Sequence, residues 1–475
     1  METVDGTREP VGTSDRLGVR GWLVLITLCS AQALVGLDFS IVTVALPEIG
    51  RDLHFTTTSD LQWVMTACVL PTASLLLLFG RVADLVGRRR LFVAGLAVLT
   101  AFCLVAGLAT EPWTLVAARA GQGLGAAMVG PTALTLLTSS FPEGPRRTRA
   151  LGVNGALLSL GFVVGTIGGG LITNGLNWRW TMLILFVIGT ISLVGAVTLL
   201  PRSDDRGASR LDVPGAALIT AGLLALVYGF STGGANGWTS ARTLASLGGG
   251  AVLVAAFLLV EGRRREPLIA PAMLNRRTIK WAGLIGFITF GMCGGTTVLL
   301  SLYMQDVLDC SPLTTGFGFI TEGVAAIVAG TVASRLIGRI GTGRALVAGL
   351  TVQAASTAGM VLLPTGGNLA LLLLTSGGLG FGHVVSVVSF ITTMTSGLRG
   401  EEQGAAGGLA QTAQFLGTTV GVAALAAVVS TRTTGTAASD VLTGLHDGLL
   451  TAALITLVGA GTALILLRAT RARTR

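Results

Sequence analysis

The sequence predicts an all-α polytopic membrane protein: two six-helix bundles plus a two-helix insertion, with 14 transmembrane helices in total. Three observations support this. The chain of 475 residues is 51% hydrophobic and only 12% charged, with a mean hydropathy of +0.77, whereas soluble chains carry about 25% charged residues. Its apolar runs reach about 20 residues, which is long enough to cross about 30 Å of hydrocarbon. Finally, one charged turn recurs in the two halves of the chain.

The apolar runs divide the chain into bundles and connecting segments. The first six make an N-terminal bundle over residues 22–200, the next two a hairpin within 201–262, and the last six a C-terminal bundle over 263–468. Residues 1–21 and 469–475 are predicted to be cytoplasmic tails. The predicted spans are 22–46, 62–80, 91–109, 114–138, 150–174, 180–200, 214–231, 243–260, 280–304, 315–336, 345–363, 368–394, 404–429 and 447–467.

The recurring turn indicates that the two bundles arose by duplication. GRVADLVGRRRLFVAGL, residues 80–96, aligns without a gap with SRLIGRIGTGRALVAGL, residues 334–350. The acid is not repeated, because Gly338 stands where the first copy has Asp84. Each copy follows the second predicted span of its half. The repeated unit therefore has six spans, and the central hairpin is an insertion between the two copies.

Positive charge is concentrated on one side of the predicted spans. Of the 32 basic residues, 27 fall on one side, including Lys280 and Arg335 at the ends of their predicted spans, four fall on the other, and one, Arg119, lies deeper inside a span. By the positive-inside rule both termini are cytoplasmic. This distribution accounts for the net charge of +9 without nucleic acid, since anionic lipid headgroups supply the counter-charge. The loops are too short to hold a catalytic or ligand-binding domain, so we do not expect an enzyme.

No cofactor or metal is expected. The glycine patterns around Gly123 and Gly380 superficially resemble dinucleotide-binding loops, but both lie inside apolar helices, where glycine serves helix packing. No G-x-x-x-x-G-K-[ST] phosphate-binding loop is present, so ATP does not supply the energy by that route. The histidines and cysteines are scattered, and no metal-ligand spacing is visible. A proton gradient is the expected energy source.

Ionisable residues inside the predicted spans are the main functional candidates, because a charge at the centre of a membrane helix costs about 2.5–3.5 kcal/mol. Asp38 lies in the first span; burial favours its protonated form and a nearby cation its ionised form, as suits a carboxylate that loads and releases a proton. Arg119 cannot shed its charge, and its similar depth suggests that it pairs with Asp38. The alternatives are a wetted acid and an arginine that reaches the interface.

Four other polar residues are candidates for lining a substrate or proton cavity. Glu322 could bind a cationic group of the substrate or a second proton, or it could be hydrogen-bonded to Thr321 or a neighbouring helix. His383 could relay protons, although a packing role for a neutral, hydrogen-bonded histidine is favoured. Gln122 and Gln414 complete this set.

The turn at residues 80–96 resembles a motif of the major facilitator superfamily, and the six-two-six arrangement is similar to that of its fourteen-span drug:proton antiporter branch. In that family the acid of the turn pairs with a helix-end dipole and neighbouring arginines and latches the two halves in the outward-facing state. In the family the residue that follows this acid is usually basic, whereas here it is Leu85. The family pattern G-x-x-x-D-x-x-G-R-[RK]-[RK] appears as Gly80, Asp84, Gly87, Arg88, Arg89 and Arg90, which we call the latch turn.

Further motifs carry the same resemblance. Asp38 lies in LDFSIVTVALP, which is similar to the span-one motif of the branch, and Arg119 opens a span-four pattern whose arginine the family assigns to proton coupling. Cys68 stands where the branch often has tyrosine. The span-five antiporter motif is imperfect, since Thr166 replaces its proline, and this weakens the inference of antiport. The resemblance implies a helix-packing role for the residues of this motif, which are Gly161, Gly165, Thr166, Gly168 and Gly169.

The resemblance implies proton-coupled secondary active efflux of small hydrophobic or cationic compounds, such as drugs and antibiotics, by alternating access. It also implies a monomer in a bacterial cytoplasmic membrane, with protons and lipid as further partners. Two alternatives remain open: a dedicated exporter of one endogenous metabolite or a lipid, and a coupling mode other than antiport in the same fold.

Overall fold

The computed structural model describes residues 18–55, 58–141, 144–201, 212–263, 273, 275–398, 402–433, 435 and 437–471, and within them it contains helices and no strand. The outer parts of the predicted tails, 1–17 and 472–475, lie outside the described residues, as does most of the two basic linkers, 202–211 and 264–272. The first and last helices are longer than predicted, because residues 19–21 and 469–471 are helical rather than part of the tails.

Fifteen α-helices are found in the described residues, and a π-helical turn, Tyr303–Val307, continues the ninth. Only α10 is short. Their bounds are α1 Val19–Asp52, α2 Thr58–Val86, α3 Arg88–Gly107, α4 Pro112–Ser140, α5 Pro145–Gly175, α6 Arg179–Leu199, α7 Val213–Asn236, α8 Ala241–Glu261, α9 Arg277–Leu302, α10 Pro312–Gly318, α11 Ile320–Ile340, α12 Thr342–Met360, α13 Leu369–Thr395, α14 Gln403–Arg432 and α15 Ala438–Arg471.

Among the described residues, 12 helices are long and apolar enough to cross a membrane. The two other long helices are α4, with 29 residues, and α12, with 19 residues, at the places of the predicted fourth and eleventh spans. Both are rich in small and polar residues, and α4 also carries Arg119. The membrane protein and its helical class are confirmed, whereas the count of 14 spans stays a prediction.

The same helix pairs pack together in both halves of the chain. In the first half α1 packs on α5, α3 on α4, and α2 on α4; in the second half α9 packs on α14, α12 on α13, and α11 on α13. The outer helices repeat the pattern, since α6 contacts α1 and α3 while α15 contacts α9 and α12. This is the packing that a duplicated six-helix unit produces. The residue bounds given to the two bundles stay a prediction.

The two bundles meet along two seams, one between α5 and α11 and the other between α2 and α14. Glycines let the backbones approach: a methyl group added at Gly152 of α5 would overlap the carbonyl of Gly330 in α11. In the second seam, a methyl group on Gly408 of α14 would lie 3.4 Å from the Cα of Gly80 in α2. Small residues serve close helix packing in lipid in this way.

The inserted hairpin lies outside the two bundles. Helix α7 packs on α2 and α14, over the second seam, and α8 packs on α7. Leu70 and Ala73 of α2 form a small apolar cluster with Val227 of α7. The hairpin thus covers the second seam from outside. It contributes none of the candidate residues named from the sequence, since all of these belong to the bundles.

Candidate functional site

A buried ion pair joins α1 and α4 in the N-terminal bundle. The Nη1 atom of Arg119 lies 2.6 Å from Oδ1 and 2.7 Å from Oδ2 of Asp38. Asp38 is 4% exposed and Arg119 1%. The two alternatives, a wetted acid and an arginine that reaches the interface, required exposed side chains, and neither side chain is exposed. The contact suggested by their similar depth is present. Their role in proton coupling stays a prediction.

Neighbouring groups complete the hydrogen bonding of the arginine. Its Nε donates to the carbonyl oxygen of Val64 in α2 at 2.9 Å, and Nη1 donates to Oε1 of Gln122 at 2.8 Å. Gln122 is fully buried and its Nε2 donates in turn to the sulfur of Cys103 at 3.1 Å. A buried charge pair is stable only when its remaining donors find partners. Gln122, a cavity candidate, therefore belongs to the ion-pair network instead.

The glycines of the span-five motif fix α1 beside this pair. A methyl group on Gly161 would lie 3.2 Å from the carbonyl oxygen of Ala33, and one on Gly169 would lie 3.1 Å from that of Ile41. Between them, Gly165 faces the α1 turn that follows Asp38. Three of the five motif residues therefore set the distance between α5 and α1 at the level of the acid.

The other two motif residues point elsewhere. Gly168 has no atom within 4 Å of a methyl group built on it. Thr166 turns towards the C-terminal bundle, where its Cγ2 lies 3.4 Å from a methyl group built on Gly316 of α10. The threonine that replaces the proline of the motif thus lies at the seam between the bundles.

Glu322, His383 and Gln414 belong to the C-terminal bundle, and within the described residues no hydrogen bond joins them to the ion pair. Glu322 is 7% exposed and its Oε2 has no hydrogen-bond partner there. Thr321 contacts Ser376 at 3.3 Å. His383 meets the ring of Phe290 edge to face, with centroids 4.9 Å apart, but its buried Nδ1 has no hydrogen-bond partner in the described residues, unlike the hydrogen-bonded histidine expected. Gln414 is buried on α14.

The latch turn lies where α2 ends and α3 begins, at the arginine-rich end of the bundles. Gly87 has φ of 104°, a left-handed value that favours glycine and separates the two helices. Oδ1 of Asp84 contacts Nη2 of Arg88 at 3.2 Å. The same carboxylate lies close to the backbone amide of Ala405, in the first turn of α14, where the helix dipole is positive, but within the described residues its buried Oδ2 has no hydrogen-bond partner. The acid thus reaches across the seam between the bundles.

The other arginines of the turn have different surroundings. Nη2 of Arg89 donates to the carbonyl oxygen of Val197 at 2.7 Å, which ties α3 to α6 within the same bundle. Arg90 is exposed. Arg88 thus contacts the acid, whereas Arg89 joins α3 to α6.

The second copy of the turn lies beside an open cleft. This cleft of about 270 Å³ lies between the first turn of α5 and the ends of α11 and α13, and a methyl group on Gly338 would meet nothing within 4 Å. Its lining includes Arg147, Thr148, Ser334, Gly338 and Thr392. The first seam thus has open space beside Gly338, whereas at the second seam the carboxylate of Asp84 lies close to α14.

One buried polar junction has no counterpart in the sequence motifs. The carbonyl oxygen of Gly130 in α4 accepts from Nε2 of Gln32 in α1 at 3.3 Å and from Nε2 of Gln411 in α14 at 3.2 Å. The second of these bonds crosses between the bundles. The sequence signal that could have indicated this junction is a glutamine amide inside an apolar run.

Two related helical bundles with a charged pair buried between helices of the first are the arrangement of a membrane transporter. The chain belongs to the Major Facilitator Superfamily, whose family model matches residues 28–422.

Three bacterial relatives are similar over most of their length. The chain is 39% identical to the cephamycin export protein CmcT of Amycolatopsis lactamdurans, covering 87% of this chain and 86% of the relative. It is 38% identical to the puromycin resistance protein pur8 of Streptomyces alboniger, over 86% and 81%. It is 31% identical to the tetracenomycin C resistance and export protein of Streptomyces glaucescens, over 87% and 77%.

The fold is also that of a solved structure, the human organic anion transporter MFSD10 (TETRAN). The TM-score is 0.69, with 94% of this chain and 100% of that chain covered at 16% identity. At this identity the likeness concerns the fold alone.

Proposed function

We propose that the protein exports small hydrophobic or cationic antibiotics in exchange for protons, by alternating access. The printed names of its bacterial relatives, which concern export of or resistance to cephamycin, puromycin and tetracenomycin C, support antibiotics as the substrate class. The buried contact between Asp38 and Arg119 carries the proposal of proton coupling.

The contact supports proton coupling because protonation of Asp38 would remove the negative charge that compensates Arg119. The arginine would keep its contacts with Val64 of α2 and Gln122 of α4 but lose its bonds to α1. An uncompensated buried charge is strongly unfavourable. The three helices would therefore rearrange when the proton binds, and substrate release would accompany that change.

The energy available is sufficient for efflux. One proton moving inward down about 100 mV releases about 2.3 kcal/mol. At about 1.4 kcal/mol per tenfold ratio, this sustains a concentration gradient of a few tens-fold.

We place the protein in a bacterial cytoplasmic membrane as a monomer with both termini in the cytoplasm, on the distribution of its basic residues. The arginine-rich end then faces the cytoplasm, and Asp84 lies there close to the first turn of α14. Asp84 and Arg88 would govern the equilibrium between the inward-facing and outward-facing states.

The test is proton-driven uptake of ethidium and puromycin into everted vesicles that contain wild-type protein or Asp38→Asn. We expect the variant to lose uptake while its amount in the membrane is unchanged. Asp306→Asn, the same change at an exposed acid, is the matched control and should transport normally. Normal proton-driven uptake by Asp38→Asn would refute the proposal.

A dedicated exporter of one compound is a second candidate, because each of the three relatives is named for a single antibiotic. Growth inhibition by a panel of unrelated antibiotics separates the two. Resistance to one compound in the panel favours the dedicated exporter, and resistance to several favours the broad one. Uptake that follows the membrane potential or a sodium gradient, and not the pH gradient, would indicate another coupling mode.

A further inference from the structure

Helix α2 contacts both members of the ion pair. Its Val64 carbonyl accepts from Arg119, and one turn later the sulfur of Cys68 lies 3.7 Å from Oδ2 of Asp38. The geometry is that of a thiol donating to the carboxylate. Oδ2 thus faces the arginine on one side and Cys68 on another.

The position of Cys68 is set by close packing of α2 on α4. A methyl group on Gly123 of α4 would overlap the carbonyl oxygen of Cys68, so the two backbones are in contact there. The hydroxyl of Thr72 lies 2.7 Å from the carbonyl oxygen of Cys68 and 3.1 Å from that of Gly123, which ties the helices together. The backbone of Cys68 is therefore held against α4, the helix that also carries Arg119.

Few groups surround the carboxylate. The ionisable groups that act on it from the packed helices are Arg119 of α4, Cys68 of α2 and Cys103 of α3. Cys103 is engaged with Gln122. On the side of α5 the neighbouring residues are the motif glycines. Within the described residues, Cys68 is thus the side chain besides Arg119 that donates to Asp38.

We propose that Cys68 is a positioning residue of the proton-coupling site, whose thiol favours the carboxylate of Asp38 over the carboxylic acid and so sets the pH of half-maximal transport. The inference rests on the proposed function. A hydrogen bond to the charged form of an acid favours that form. Since a thiol is a weak donor, its effect is smaller than that of the arginine.

The experiment compares Cys68→Val, which removes the donor and nearly keeps the volume, with Cys68→Ser, which keeps a donor. The readout is the pH dependence of ethidium binding to the purified protein, since in antiport the substrate binds the deprotonated form. Without the thiol the carboxylate forms at higher pH, so the midpoint of Cys68→Val should rise by about half a pH unit. Cys68→Ser should move it less.

Cys29→Val is the matched control, because Cys29 is a fully buried thiol of α1 in a separate part of the core. Its midpoint should equal that of the wild type. An equal midpoint in Cys68→Val, with pH dependence lost in Asp38→Asn, would overturn the role of Cys68 and leave the proposed function intact. If Asp38→Asn keeps both transport and its pH dependence, the proposed function fails and the role of Cys68 with it.

Discussion

Replacing Gly165 by alanine should separate α5 from α1 and displace Asp38. The added methyl group would lie 3.0 Å from the carbonyl oxygen of Leu37 and 3.2 Å from Cβ of Ser40, and would overlap the Ser40 hydroxyl. Overpacking of this kind costs about 1–3 kcal/mol. Alanine gains about 1 kcal/mol over glycine in a helix. The net loss is therefore up to about 2 kcal/mol, and it is concentrated at the turn that follows Asp38.

Gly168→Ala in the same motif provides the comparison, because nothing lies within 4 Å of the methyl group there. Thermal unfolding of the purified variants in detergent, followed by vesicle uptake of ethidium, measures both effects. Gly165→Ala should unfold at a lower temperature and transport less, whereas Gly168→Ala should be as stable as the wild type or more so. Adding Ser40→Ala to Gly165→Ala should restore part of the loss. Equal stability and transport in the two single variants would refute the packing of α5 on α1.

Three further variants test the seams. Gly338→Asp should fit the open cleft and favour closure of the arginine-rich end. Closure would be measured as slower labelling of a cysteine placed in that cleft. Gly338→Asn should slow the labelling less, and identical labelling in both variants would exclude a charge effect. Asp84→Asn should weaken the contact with Arg88 and impair switching, so transport falls while thermal stability is kept; full transport would leave the turn as a topology signal alone. Gln411→Leu should leave Gly130 with one glutamine donor and reduce protection of α14 amides from hydrogen exchange, and unchanged exchange would contradict a contribution across the seam.

The buried ion pair could be predicted because a charge inside an apolar run is costly and so conspicuous. Asp38 and Arg119 are the clear case: their depth along two neighbouring spans already suggested contact, and the structure has it. The duplication was visible for a similar reason, since the latch turn and its copy align without a gap. The helical membrane class followed from run length alone.

Helix faces and carbonyl contacts could not be predicted in the same way. The sequence marked Gly161 and Gly165 as packing residues but could not say that they face α1, because that depends on how the helices rotate. Arg89 was grouped with the latch and instead bonds α6 through a carbonyl, a partner that no side-chain pattern reveals. The junction of Gln32 and Gln411 at a single carbonyl of α4 was missed for the same reason.

The position of the inserted hairpin makes the two seams unequal towards the bilayer. Helix α7 covers the seam between α2 and α14, so that seam borders protein on its outer side. In the described part of the chain neither helix of the hairpin packs over the seam between α5 and α11, so the hairpin does not shield that seam. Among the described residues, a hydrophobic compound dissolved in the membrane could therefore approach the seam between α5 and α11 without first displacing the hairpin.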